Sequence, residues 1–330
     1  MILAGDVGGT KTVLAVLEPG AGKASSMSIV REATLPSREI DSLEGAVEAF
    51  LLGAPRLTVS AGCVGVAGPV VDGRCVATNL PWEVHERRLA AATHAPTRLV
   101  NDLEAAAHGM LTLAPEKFLT LQEGRPKPGA NIALIAAGTG LGQALMVAQG
   151  EDYRVVPSEG GHADFAPQDE TQIDLLRFIR AEFGHVSWER VLSGPGLHTV
   201  YTFLQMRAGH AAPEWLRDRL QREDPGAVVG EVGLAGRDPV CVDALDLFVT
   251  VYGAQTGNLA LEGLALGGVI VGGGIAPKIQ AKLADGRFMK AFRAKGRLDT
   301  LLASMSVRVA LDSRAPLWGA ARLATLMHTS

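Results

Sequence analysis

Three glycine-rich turns in the 330-residue chain carry residue types suited to phosphate. In LAGDVGGTKTVLAVLE, from Leu3 to Glu18, an apolar run meets Asp6, the adjacent Gly8 and Gly9, and Thr10, and a second apolar run follows. Adjacent glycines permit positive φ and carry no Cβ, so a phosphate can approach their amides closely. An acid at the strand end could hold a hydrated Mg²⁺, which keeps several waters and needs few carboxylates. The plain alternative is a hairpin turn. Neither GxxxxGK[ST] nor GxGxxG is present here. The stretch AGTGLG, residues 137–142, repeats the theme with Gly138 and Thr139. Gly272, Gly273 and Gly274 follow the apolar VIV and leave room for a flat base or ribose against the backbone. A tight turn explains each of these alone; the three together point to a nucleotide.

The polar residues suit a hydroxyl-rich substrate. Asn101 and Asp102 end an apolar run, the usual ligand position in open α/β sheets. An acid there is a general-base candidate, and its alternative role is to cap the helix that follows. Glu159-Gly160-Gly161-His162 sets an acid and an imidazole around two glycines, where both can bond sugar hydroxyls. No third ligand is spaced for a metal. Glu189 lies in VSWERVLSGPG with Ser187 as a possible N-cap, and its residues alone read as a charge in a helix's first turn.

These residues need strands that end where the chemistry sits. Ile2–Val7, Thr12–Leu17, Leu57–Val66 and Thr97–Val100 read as strands, apolar on both faces. Gly20–Ser26 is turn material, Ser42–Gly53 reads as a helix, and Leu103–Leu113 has helical composition with Asp102 as the possible N-cap. Gln122–Ala130 is a loop, and residues 131–150 form a second strand–turn–strand. Its likeness to the opening segment predicts a weak internal duplication, two halves presenting glycine turns to one ligand. Asp169–Phe183 and Asp243–Leu266 read as helices, and residues 205–240 as a helical insert or a mobile segment. Gly267–Ile275 is a strand and turn, Met305–Leu311 a late strand, and Pro316–Met327 a last helix. Alternating strands and helices predict an α/β fold.

Length predicts two domains, since single cores stop growing at about 250–300 residues. With 47% apolar and 20% charged residues, the composition is that of a globular protein. A formal net charge of −4 and no basic block argue against a nucleic-acid partner. Cys63, Cys75 and Cys241 form no CxxC pair or metal spacing, which predicts reduced thiols. No signal peptide and no apolar window of roughly 18–20 residues predict a cytoplasmic protein without a membrane partner.

Taken in order, GDVGGTK at 5–11, TNLPW at 78–82, LVNDLEAAAHG at 99–109, AAGTGLG at 136–142, PSEGGHADFAP at 157–167, GHVSWERVLSGPGL at 184–197 and GGVIVGGGIAP at 267–277 resemble the bacterial glucokinase family. EGGHxDFAP joined to ERVLSGPGL belongs to this branch; the glycine turns are shared by the whole hexokinase and actin-like ATPase fold group. The resemblance implies a two-domain, ribonuclease-H-like/actin-like ATPase fold with an active-site cleft. The small domain would be 1–103 plus 314–330, and the large domain 104–313.

It implies ATP and Mg²⁺ as partners in phosphorylating D-glucose at the 6-hydroxyl. Asp102 would take the hydroxyl proton. Asn79, Asn101, Glu159, His162 and Glu189 would bind sugar hydroxyls. Gly8, Gly9, Thr10, Gly138 and Thr139 would contact phosphates, Gly272–Gly274 would border the adenosine, and Asp6 would orient Mg²⁺ through water. The resemblance further implies a homodimer. Lys11 is left out of the site, because the family does not require a lysine there. Another hexose (mannose, fructose or glucosamine) is the alternative substrate, and a non-catalytic sugar sensor on the same fold the alternative role. The related repressor, open-reading-frame and kinase proteins often carry a cysteine-rich zinc motif after the active-site His. Here ADFAP follows His162, so no structural zinc is expected, and the phosphate turn beginning at residue 5 leads us to expect no helix-turn-helix and disfavours a DNA-binding sugar repressor.

Overall fold

The computed structural model describes residues 1–19, 27–53, 57–77, 80–150, 152–209 and 211–328. The turn expected at Gly20–Ser26 and the residue Asn79 lie outside them. The chain forms two compact units, Met1–Lys117 with Asp312–Ser330, and Phe118–Leu311.

The first unit opens with β1 (Ile2–Val7), β2 (Lys11–Glu18), β3 (Ser28–Pro36), α1 (Leu43–Leu52) and β4 (Ala61–Val66). A small sheet of β5 (Val70–Val71), β6 (Arg74–Val76) and β7 (Glu83–His85) follows, then α2 (Glu86–Thr93), β8 (Thr97–Asn101) and α3 (Asp102–Met110). The main sheet runs β3-β2-β1-β4-β8, with β1 antiparallel to β2 and parallel to β4.

The second unit contains β9 (Phe118–Gln122), β10 (Ile132–Ala137), β11 (Leu141–Gln149), β12 (Asp152–Ser158) and α4 (Glu170–Phe183). Then come α5 (Gly194–Ala208), α6 (Glu214–Arg222), α7 (Pro225–Leu234) and α8 (Pro239–Glu262). It closes with β13 (Gly268–Gly272), α9 (Gln280–Leu283), α10 (Arg287–Arg293), α11 (Asp299–Ser304) and β14 (Val307–Ala310). The last helix, α12 (Ala315–His328), belongs to the first unit. The second sheet runs β12-β11-β10-β13-β14-β9. Its first five strands repeat the order and directions of the first sheet, which gives the internal likeness of the sequence a structural counterpart.

Both faces of the first sheet are covered, because successive side chains of a strand point to opposite faces. Leu3, Val7, Leu14 and Val64 pack with Leu43, Val47 and Leu89 of α1 and α2. Ile2, Ala4, Ala15 and Cys63 pack with Ala105 of α3 and Ala320, Ala321 and Ala324 of α12. The second face is built of small residues, and there α3 and α12 approach backbone to backbone. A Cβ on Gly319 would overlap the Ala105 carbonyl oxygen, and one on Gly109 would overlap that of Ala315. The second unit packs around α8, where Tyr252 meets Phe248 and Phe288 edge-on at 5.9 and 5.6 Å.

Several boundaries differ from the sequence reading for identifiable reasons. The strand expected from Leu57 begins at Ala61, because its partner β1 starts at Ile2, directly opposite Ala61. The long helix expected at Asp243–Leu266 begins at Pro239, where Asp238 accepts a bond from the Cys241 amide at 2.9 Å. The described residues of 205–240 are mainly helical. Asn101 is the residue that caps α3, accepting from the Leu103 amide at 2.9 Å; Asp102 is instead the first helical residue. The three cysteines are free and buried. None of the described helices is long and apolar enough to cross a membrane.

Candidate active site

In the first unit, β1, β4 and β8 run parallel and end on the same side. Asp6, Gly8–Thr10, Asn101 and Asp102 therefore gather at the C-terminal ends of these strands. The turn at Gly8 closes through a bond from its amide to the Lys11 carbonyl at 3.0 Å. Ser37 pins it from behind: its hydroxyl donates to the Gly8 carbonyl at 2.7 Å and pairs with the buried Thr12 hydroxyl at 2.9 Å. Sequence reasoning missed both hydroxyls, since a lone Ser after a strand carries no signal. Asn101 uses one acceptor and one donor of its side chain locally, accepting from Leu103 and donating to the Gly68 carbonyl at 2.9 Å, and keeps a second N–H and a second lone pair. Asp102 accepts from its neighbour Leu103 at 2.8 Å. Gly65 allows α3 this close to β4: a Cβ there would sit 2.9 Å from that of Ala105 and 3.6 Å from the Asp102 Cα.

Burial raises the Asp6 carboxyl to about 6, and the Asp102 charge adds to the rise while Lys11 opposes it. Two carboxylates in one partly dry place favour a cation, and an acid there would fit a Mg²⁺ that keeps several of its waters. Among the described residues no group of three or more His, Cys, Asp or Glu could hold a metal by itself. A raised carboxyl pKa favours the neutral form in the fold, so ionising it costs stability. In the metal-free protein, Asp6 should therefore cost little stability below about pH 4, an amount that grows as the pH rises from there to about 6, and a constant amount above. Urea unfolding of wild type and Asp6→Asn across that range should show the difference shift in favour of the variant; a constant difference would refute the perturbed acid.

The second unit brings its predicted residues together around the β10–β11 turn. The Gly138 amide donates to the Gly140 carbonyl at 2.8 Å, and the Gly194 amide donates to the Gly138 carbonyl at 2.8 Å. The Gly272–Gly274 turn lies beside it: a Cβ on Gly138 would sit 3.9 Å from the Gly274 nitrogen, and Ile275 donates to the Ala137 carbonyl at 3.1 Å. Gly273 must be glycine, for its φ is +82° and a Cβ would overlap the Ala137 carbonyl. Tyr252, which the sequence hid inside an apolar helix, accepts from the Ala137 amide at 3.2 Å beneath both turns.

Glu189 lies in a short hydrogen-bonded turn and not in a helix: Ser187 bridges to Asp164 and its hydroxyl accepts from the Arg190 amide at 3.4 Å, capping only that turn, and α5 starts at Gly194. The Glu189 carboxylate instead accepts from the Leu141 amide at 2.9 Å, and its own amide donates to the Gly161 carbonyl at 2.9 Å. His162 bridges the acids, 3.9 Å from Glu189 on one ring nitrogen and 3.9 Å from Glu159 on the other. Glu159 and His162 are exposed, 74% and 62% in their side chains, so their polar atoms remain open to a ligand.

The glucokinase family model matches residues 3–327. The chain belongs to the glucokinase family. Glucokinases of Nostoc sp. and Synechocystis sp. are similar to it at 40% and 39% identity, covering 97% of this chain and 98% and 96% of theirs. The crystal structure of a glucokinase from an Antarctic psychrotroph is similar with a TM-score of 0.84 at 30% identity, covering 98% of each chain. A ROK family glucokinase from Streptomyces griseus, solved with glucose and AMPPNP, shares the fold with a TM-score of 0.67 at 24% identity, covering 98% of this chain and 99% of that one. In both sheets the glycine turn joins the middle strand of the repeated order to its antiparallel neighbour, β1 to β2 and β10 to β11, so the two short motifs about 130 residues apart occupy equivalent places.

Proposed function

We propose that the protein transfers the γ-phosphoryl group of ATP to the 6-hydroxyl of D-glucose, giving glucose 6-phosphate and ADP. The observation that carries this is the family match over residues 3–327, together with an acid at the C-terminal end of β8. Asp102 accepts the proton of the 6-hydroxyl as its oxygen bonds to the γ-phosphorus, and the bond from that phosphorus to the bridging oxygen of ADP breaks. Such a loose transition state needs positioning and charge neutralisation more than covalent chemistry. The Gly8–Thr10 and Gly138–Thr139 turns supply backbone and hydroxyl donors to phosphate oxygens. Gly272–Gly274 leave space for the adenosine. Asn79, Asn101, Glu159, His162 and Glu189 hold sugar hydroxyls. A wrong epimer leaves some of these groups unpaired, and that cost is the source of selectivity. Asp6 would hold Mg²⁺ through water, which would supply neutralisation of phosphate charge there. The same family reading makes the working form a cytoplasmic homodimer, which analytical ultracentrifugation of the purified protein checks.

Coupled measurement of ADP release with Mg-ATP and glucose, mannose, fructose or glucosamine tests the reaction. Turnover fastest with glucose is the expected result; none with any hexose would leave a sugar-binding protein without catalysis. Glu189 joins the sugar set to the phosphate turn, so Glu189→Ala should raise the KM for both glucose and ATP. The loss of a charge-assisted bond, about 1.5–3 kcal/mol, corresponds to roughly tenfold or more. A change confined to one substrate would refute the linkage.

A further inference from the structure

A cavity of about 320 Å³, lined by none of the glycine-turn residues, lies in the second unit between the start of α4, the middle of α8 and α10. Its volume is at the low end of small-molecule sites, about 300–1,000 Å³. The methyl groups of Ala254, Ala291 and Ala294 form its apolar part, and three cations, Arg287, Lys290 and Lys295, reach it. These cations are not equivalent. Arg287 is already balanced, 2.7 Å from Asp285 and 3.0 Å from Asp246, carboxylates it shares with Lys282. Lys290 is exposed and has no ion-pair partner among the described residues. Lys295 is half-buried and bound only to neutral acceptors, the Ala254 carbonyl at 2.9 Å and the Asn258 side-chain oxygen at 2.6 Å.

An ammonium has three protons to donate, so Lys295 retains one for a ligand. Burial holds its pKa below the ordinary lysine range, the mark of a charge without a countercharge. Two lysines without carboxylate partners at one cavity favour a compact dianion over a carboxylate monoanion. Gln168 and Asp169 line the cavity from the α4 side. Asp169 caps α4, each carboxylate oxygen accepting one bond at 2.8 Å from the Gln172 amide or side chain, so its second lone pairs and the Gln168 amide oxygen are what can accept from hydroxyls, and its negative charge disfavours a second phosphate. We propose that this cavity binds a small phosphomonoester bearing hydroxyl groups, with Lys290 and Lys295 on the phosphate and Gln168 and Asp169 on the hydroxyls. The floor of the cavity is α8, the helix whose Tyr252 hydroxyl supports the Ala137 turn.

Calorimetric titration of the full chain with glucose 6-phosphate and, separately, inorganic phosphate reads this site. Glucose 6-phosphate should bind at least tenfold more tightly than phosphate, because hydroxyl contacts add to the shared headgroup. Lys290→Gln should weaken both about tenfold, the expected loss of one charge-assisted contact. That exposed substitution leaves the fold intact, and any binding at the catalytic residues is common to both proteins. Lys295→Met should weaken binding by at least as much; it also removes two bonds to α8, which makes Lys290→Gln the decisive variant. Equal affinities in wild type and Lys290→Gln, or no binding at all, would overturn the site. Glucose 6-phosphate binding no better than phosphate would overturn the assignment of the hydroxyl side.

Discussion

Asp102→Asn is expected to lower kcat by about 10²–10⁴-fold with little change in the KM for glucose. The substitution is nearly isosteric. The side-chain oxygen that accepts from the Leu103 amide is retained, and Asn101 still caps α3. Folding should therefore survive, and thermal unfolding should show it. What is lost is a group able to take a proton, for an amide has no useful basicity. A kcat effect without a KM effect marks an interaction made in the transition state only. A second readout is independent of turnover: the Asp102 charge helps raise the Asp6 carboxyl, so its pKa should fall in the variant, as NMR titration can follow. Wild-type turnover in Asp102→Asn would remove this residue from the chemistry.

Gly319→Ala is expected to destabilise the first unit, although helix propensity alone predicts the opposite sign. Alanine is favoured over glycine in a helix interior by about 1 kcal/mol. Here the added methyl would overlap the Ala105 carbonyl oxygen of α3, and the nitrogen of Gly109 lies close behind it. The obstacle is backbone, which cannot swing aside as a long side chain can. Overpacking of this kind costs roughly 1–3 kcal/mol, occasionally more, and should exceed the propensity gain. Because α3 begins at Asp102, separation of α3 from α12 also displaces the proposed base. Urea unfolding should show a lower midpoint, and kcat should fall with it. A variant as stable as wild type would mean that α12 does not pack here as described.

The parts of the site built from consecutive residues were legible in the sequence. GDVGGTK, AAGTGLG and VGGG each announce a strand end and a bare backbone, because glycine has few other reasons to cluster after an apolar run. The two glycine turns of the second unit do converge: Ile275 donates to the Ala137 carbonyl, and Glu189 holds the Leu141 amide. Residues whose contribution depends on distant partners were not legible. Ser37 resembles any surface serine until it is seen bonded to Gly8, and Tyr252 resembles core until its hydroxyl is found under Ala137. Glu189 reads as a helix charge because ER after SW mimics a first turn. Its amide is drawn instead to the Gly161 carbonyl, and the helix is delayed to Gly194.

By itself, then, the sequence determined the α/β class, the position of the principal strands, the family and the roster of candidate residues. Those properties follow from local patterns: two-residue and 3.6-residue periodicity, glycine freedom and ordered motifs. Only the tertiary structure decided that the two sheets share one strand order, that Asn101 rather than Asp102 caps α3, and that Gly109 and Gly319 let two helices meet at their backbones. It alone set Lys290 and Lys295 around one cavity, and Asp6 close enough to Asp102 for their charges to oppose. These depend on distances between residues far apart in the chain, which packing of the whole fold sets and no local pattern encodes.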